Sequence, residues 1–284
     1  MNKKNYLLII WIITLICIIG GVIIHFSGCF NTGIFHVYRA GKFVTDEQSF
    51  GNVEVNEINI KADIGDIDIS YGDTLEVKTI YPEKHIPTVT YKDGVLDVKA
   101  IYHSEINLGL SAIGEDKYSM NIVIPRNSVI KNTSIEVDLG DVDMNDVDSE
   151  KLYIDNKLGD IEVRDSEGKS ADLVLSLGNL KVNNGKYTEL DVDNSLGDIN
   201  IDGDFQNIDL VCDGGDVDVK TTGKTDYVKV VNNLGDIDLN GDFDTIDASC
   251  DLGDIDIVVK GEVDKNKISI KSDLGDVTVN GEDW

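Results

Sequence analysis

Residues 233–257 read NLGDIDLNGDFDTIDASCDLGDIDI. Two Leu-Gly-Asp-Ile units stand here 18 residues apart, each followed by aliphatics at alternate positions. The same core recurs as DIGDIDI (63–69), DLGDVDM (138–144), KLGDIEV (157–163), SLGNLKV (176–182), SLGDINI (195–201), DGGDVDV (213–219) and DLGDVTV (273–279). Gly140, Gly159, Gly178, Gly197, Gly215, Gly235, Gly253 and Gly275 follow one another at spacings of 19, 19, 19, 18, 20, 18 and 22 residues. A period near twenty with strand-type composition predicts an all-β fold, a parallel β-solenoid with one coil of about 19 residues per repeat.

The apolar phase divides each coil. Ile246, Ala248, Cys250 and Leu252 lie two apart and are expected to share one inward face. After Gly253 the apolar residues Ile255 and Ile257 have the opposite parity. The same change separates Leu152, Ile154 and Leu158 from Ile161 and Val163, and Val228, Val230 and Leu234 from Ile237 and Leu239. The glycine is expected to reset the phase through a positive φ or a bulge. Each coil then comprises a strand, a Gly-Asp corner, a second strand and a looser return turn. Three residues before the glycine the chain reads Val137, Asn156, Leu175, Asn194, Cys212, Asn232, Cys250 and Ser272. Inward asparagines there are expected to bond neighbouring turn backbone. Cys212 and Cys250, two coils apart at about 4.8 Å per coil, are too distant for a disulfide and read as small buried apolar residues. Gly203-Asp204-Phe205 and Gly241-Asp242-Phe243 recur 38 residues apart, which suggests duplication of a two-coil unit.

Outside the repeats, Tyr6 to Phe26 contains no Asp, Glu, Lys or Arg and is long enough to cross a membrane as a helix. Lys3 and Lys4 precede it, so the positive-inside rule places the N-terminus in the cytoplasm and the repeats outside. Two other readings stay open: a lipoprotein whose Phe26-Ser27-Gly28-Cys29 is lipidated at Cys29, and a cleaved signal. The expected organisation is a cytoplasmic stub (1–5), a transmembrane anchor (6–26), a tether (27–50), an irregular N-terminal part of the β-domain (51–130) that caps the stack, and the regular repeats (131–284). Turn signals at Gly72-Asp73 and Asp93-Gly94 separate strand-like runs in the cap, a loop is expected around Pro82 and Pro87, and Pro125 stops the strand at 120–125.

With 53 acidic against 25 basic residues, the net charge is −28. Because 41% of residues are hydrophobic and regularly placed, this is not a disorder signature. It argues against nucleic acid and anionic headgroups as partners of the repeats. Divalent cations, basic proteins and cationic peptides fit the charge.

The residues after the glycines, Asp66, Asp141, Asp160, Asn179, Asp198, Asp216, Asp236, Asp254 and Asp276, should stack as a ladder. Each is expected to cap its own corner's backbone N–H groups, as Asx turns do. The alternative is a row of oxygen ligands for weakly bound Ca²⁺, although the chain lacks the nonapeptide of calcium-binding solenoids. The four histidines, His25, His36, His85 and His103, show no metal-ligand spacing, and no nucleophile elbow, zinc motif or phosphate loop occurs. No catalytic, cofactor-binding or metal-binding residue is therefore assigned, and no cofactor is expected. A carbohydrate-active solenoid enzyme would need clustered carboxylates with a basic group on one face.

An apolar N-terminal segment, an irregular strand-rich start, the strand IVIP (122–125) and serial L-G-D-I-x-I units resemble the putative-adhesin family of bacterial envelope proteins, LiaG-like membrane proteins among them. The family is a β-strand-repeat domain of unknown function. The resemblance implies a non-enzymatic, extracytoplasmic β-solenoid serving adhesion or envelope stress, with an envelope protein or cell-wall component as partner. It implies no catalytic residues.

Overall fold

The computed structural model describes residues 42–101, 118–261 and 264–284. The stub, the 6–26 segment, most of the tether, Cys17, Cys29 and the stretch around Gly109 and Gly114 lie outside the described residues. Among the described residues no helix is long and apolar enough to cross a membrane.

The described strands before the repeats are β1 (Phe43–Gly51), β2 (Glu57–Ala62), β3 (Asp66–Gly72), β4 (Leu75–Pro82), β5 (Thr88–Lys92), β6 (Val95–Ala100) and β7 (Ser119–Pro125). The repeats supply β8 (Asn132–Val137), β9 (Val142–Asn145), β10 (Lys151–Leu158), β11 (Ile161–Arg164), β12 (Glu167–Leu177), β13 (Leu180–Asn194) and β14 (Ile199–Cys212). They end with β15 (Val217–Leu234), β16 (Ile237–Leu252), β17 (Ile255–Val259), β18 (Ile268–Leu274), β19 (Val277–Val279) and β20 (Glu282–Asp283).

These strands build a β-solenoid of about eight coils. One wall stacks β8, β10 and β12 in parallel, in register, and continues through the C-terminal halves of β13 to β16 into β18. A second wall stacks β9 and β11, the N-terminal parts of β13 to β16, then β17 and β19. Register follows from the period-2 pattern, because a one-residue slip would turn every aliphatic to solvent. Ile154, Leu173, Val192, Leu210, Val230 and Ala248 form one buried column, and Ile161, Leu180, Ile199, Val217, Ile237 and Ile255 another. Each fully buried aliphatic of this kind contributes about 1.5–3 kcal/mol.

The return turn changes along the stack. In the first coils it carries Asp146, Asp165 and Asn184 at φ 56°, 50° and 52°, a left-handed position that Asp and Asn tolerate best after glycine. The next coil lacks this residue: Asn183 pairs with Asp202 and Gly185 with Gly203, leaving Asn184 unmatched. That deletion shortens the spacing from 19 to 18. One coil later, the segment between Thr221 and Tyr227 is two residues longer than that between Gly203 and Asn207. From β13 on, the strand runs through the turn and the interior below it fills with Tyr187, Phe205 and Phe243. The Tyr187 hydroxyl lies 2.7 Å from Ser166 Oγ, and burial pushes its pKa up to about 12.

The N-terminal part is more regular than the sequence pattern predicts. β2 and β3 form a coil that stacks directly on β8 and β9, with Ala62 opposite Val137. On its other side lie β6 and β7, also parallel. Only the outermost strands turn antiparallel: β4 on β7, β1 on β4, and β5 on β6. The β5–β6 hairpin turns through Asp93 and Gly94 with φ 53° and 84°, the pair of positive angles that a type I′ turn requires. β1 occupies the end of the stretch read as tether; its alternation of half-buried and exposed residues from Val44 to Phe50 suits an edge strand. The Tyr81 hydroxyl donates to Ile64 O at 2.6 Å, and its ring packs edge-on against Tyr118.

Candidate functional site

The Gly-Asp corner is the one feature present in every regular coil. Its glycines have φ between 129° and 159° from Gly140 to Gly275, a region that L side chains avoid. A Cβ on any of them would also collide with the carbonyl oxygen of the glycine one coil earlier. Gly197, for example, rests directly on the Gly178 carbonyl. Two constraints therefore select glycine: backbone conformation and the contact that lets successive corners stack.

The aspartates behave differently from expectation. Each, up to Asp254, accepts a hydrogen bond from the backbone N–H of the equivalent residue in the next coil, not from its own corner. Asp66 Oδ1 accepts from Asp141, Asp141 from Asp160, and Asp160 from Asn179, at 2.7 to 3.2 Å. Asn179 Oδ1 accepts from Asp198, and the series continues through Asp216, Asp236 and Asp254 to Asp276 at 2.8 to 3.0 Å. The reason is directional. The glycine N–H donates to the carbonyl before the next glycine, as Gly140 does to Leu158 O. The residue after the aspartate donates forward as well, as Val142 does to Asp160 O. The aspartate N–H points backward and has only the preceding side chain to meet. An amide oxygen serves as well as a carboxylate, which explains why Asn179 is tolerated in the row. One oxygen of each ladder carboxylate from Asp66 to Asp254 is thus engaged by backbone. Among the described residues, no group of three or more His, Cys, Asp or Glu side chains is placed to hold a metal ion.

The inward column satisfies the other half of the corner. Asn156 Nδ2 donates to Gly140 O at 2.9 Å, Asn194 Nδ2 to Gly178 O and Gly197 O at 3.1 and 2.9 Å, and Asn232 Nδ2 to Gly215 O at 2.9 Å. Cys250 Sγ lies 3.2 Å from Gly235 O and Cys212 Sγ 3.7 Å from Gly197 O. Both cysteines are free and buried. Burial pushes both thiols up, so they keep the proton needed to donate. They are therefore weak donors standing in for asparagine rather than merely small apolar residues.

The residue before each glycine corrects the sequence reading most sharply. Alternation places Leu158, Leu234 and Leu252 inward; in the structure they face solvent. Leu158, Leu177, Leu196, Leu234, Leu252 and Leu274 are 47% to 67% exposed. The corner is four residues long rather than one, so the two residues before the glycine and the aspartate after it all point out. In the coil of Gly159, Asn156 and Ile161 are buried while Lys157, Leu158 and Asp160 are exposed. Gly214 takes the leucine's place in one coil, and Leu196 Cδ2 leans toward the space left there. The exposed leucines form a row along the solenoid, interrupted once. The aspartate ladder borders one side of the row; Asp213, Asp251 and Asp273 stand on the other, in a column shared with Lys157, Ser176, Ser195 and Asn233.

On the walls, carboxylates also stack. Asp172 pairs with Asp191 and Asp191 with Asp209. Partial burial, then the neighbouring carboxylates, push Asp172, Asp191 and Asp238 above the usual carboxylate range. An open groove of about 690 Å³ runs over the return side, lined by Glu167, Lys186, Asp204, Lys224 and Asp226 among others. Its charges are of both signs, and it shows no convergent catalytic set.

A model of the family described as Toastrack DUF4097 matches residues 55–280, and the chain belongs to that family. No curated protein matches the chain in sequence. Among solved structures, a "putative adhesin" from Bacteroides fragilis is 19% identical, covering 84% of this chain and 97% of its own, with a TM-score of 0.49. A "putative adhesin" from Parabacteroides merdae is 17% identical over 84% of this chain and 95% of its own, with a TM-score of 0.42. A "putative cell adhesion protein" from Clostridium sporogenes is 13% identical over 84% and 99%, with a TM-score of 0.31.

Proposed function

We propose that this Toastrack-family chain is a non-catalytic binding module of the bacterial cell envelope, held to the membrane by residues 6–26 with its solenoid on the outer side. The observation that carries the binding role is the corner surface: exposed leucines in register with carboxylates along successive coils. Ordered repetition of one apolar and one acidic position over successive coils forms an extended face, as solenoids use for partners. The apolar, uncharged 6–26 segment behind Lys3 and Lys4 supports the topology. The partner is an envelope protein or a cell-wall component.

Topology is tested by adding protease to intact protoplasts that express the chain with a C-terminal tag. The proposal expects the tag and the repeats to be digested while a cytoplasmic control survives. A fully protected tag, released only after lysis, would place the repeats inside and refute the proposal.

A further inference from the structure

We propose that the leucine row is a docking surface for a basic amphipathic helix of a partner protein. This rests on the binding-module reading above and names the partner's chemistry. Proteins rarely keep an ordered row of large apolar side chains exposed without a use for it. Here the strip is built by one repeated position rather than by scattered residues, with six leucines exposed between Leu158 and Leu274.

The occupant follows from charge and spacing. From Leu196 onward the strip is bordered by Asp198, Asp216, Asp236 and Asp254 on one side and by Asp213 and Asp251 on the other, all exposed. A second copy docked row to row would set these carboxylates against one another. An anionic bilayer would be repelled for the same reason. A partner with an apolar stripe flanked by Lys and Arg would match both features. Coils repeat at about 4.8 Å. A helix presents its stripe once per turn, about 5.4 Å, whereas an extended strand presents one face every 6.6–6.8 Å or so. The helix is the closer match. Six coil steps from Leu158 to Leu274 span about 29 Å, the length of a helix of about 19 residues. At Gly214 the row is interrupted, and the Leu196 side chain covers that position.

The test uses the full-length protein and a fluorescein-labelled 18-residue synthetic peptide with a leucine stripe flanked by lysines. A second peptide has the same composition, shuffled so that leucines ring the helix. Binding is read by fluorescence polarisation at 0.15 M salt, against the native chain and against a variant carrying Leu196→Gln, Leu234→Gln and Leu252→Gln. These side chains are exposed, and a thermal melt checks that the variant keeps its fold. The expected result is saturable binding of the striped peptide, at least tenfold weaker for the shuffled peptide and for the triple variant. Asp216→Asn with Asp236→Asn should also weaken it, with a smaller salt dependence. Equal binding of both peptides, or no loss in the triple variant, would reduce the interaction to charge alone and overturn the proposal. No binding to the native chain would overturn it too. So would a native dimer that the leucine variant dissociates, because the row would then be covered by a second copy. None of these outcomes bears on the protoplast result, so the two proposals fail separately.

Discussion

The two turns of each coil solve the same problem by opposite means. At the Gly-Asp corner every coil uses the same parts: a glycine at positive φ on the glycine below, an acceptor side chain on the next N–H, and in six of the eight repeat coils an inward donor-capable side chain. At the return turn the parts change. Asp146, Asp165 and Asn184 serve in the first coils, no residue takes that place in the next, and two extra residues appear between Thr221 and Tyr227. All variation in repeat length up to Gly253 is absorbed there. The comparison teaches that one corner sets the register of the stack while the other tolerates length changes, because hydrogen bonds between coils run along the first without interruption.

The largest expected effect comes from the register corner. Gly197→Val meets a forbidden φ of 137° and the Gly178 carbonyl together. It should cost about 4 kcal/mol or more, the range reserved for such steric lesions, and lower Tm by on the order of 10 °C. Asp202→Val, at the return turn, removes a half-exposed ion pair with Lys220 at 3.1 Å and should change stability by about 0.5 kcal/mol or less. Paired thermal melts decide; similar Tm values would erase the distinction between the corners.

Next in size is the inward donor. Asn194→Leu should lose about 2 kcal/mol, because the carbonyls of Gly178 and Gly197 lose buried donors. Leucine is already accommodated in the same column at Leu175, so volume alone does not forbid it. An unchanged urea midpoint would show that these bonds add nothing.

The acceptor ladder should be weaker, since it lies at the surface. Asp216→Ala leaves the Asp236 N–H to water and should cost about 1 kcal/mol. Asp216→Asn should be nearly neutral, because Asn179 already does this work. If alanine and asparagine behave alike in denaturant titrations, the ladder is decorative.

A smaller effect concerns pH. The folded pKa values of Asp172 and Asp191 are raised by burial and by neighbouring carboxylates. Protonation is therefore easier in the fold than in the unfolded chain, and their contribution grows as pH falls from neutrality toward the ordinary carboxylate range. Asp191→Asn should raise Tm slightly at pH 7, and its advantage over the native chain should fade on acidification. Glu150 and Asp244, lowered by Lys169 and Lys267, act in the opposite sense in both chains and cancel in the difference. An advantage that is constant or grows toward low pH would contradict the assignment.

Much of this was legible in the chain. The glycine period and the parity change on either side of it determine coil length, both walls and the buried columns, because strand alternation and burial are coupled locally. The inward asparagines were legible for the same reason. The leucine row was not. Alternation assumes that inward and outward residues keep alternating until the glycine, whereas the two residues before it, Lys157 and Leu158 or Asp251 and Leu252, both face out. Nor was the direction of the aspartate bonds, which depends on how one coil sits on the next. The coil of β2 and β3 looked irregular because the strands stacked on it, β6 and β8, are distant in sequence.

The most direct test of the division between the corners places one lesion at both. A single alanine is inserted after Leu196 in one variant and after Asp202 in the other, where the preceding coil holds Asn184, and both full-length proteins are melted beside the native chain. The insertion after Asp202 restores a residue the earlier coils possess and should shift Tm by no more than a few degrees. The insertion after Leu196 breaks the glycine stack and the ladder together and should abolish a single cooperative transition or lower Tm by on the order of 10 °C. Equal losses, or a greater loss after Asp202, would contradict the claim that the Gly-Asp corner sets the register.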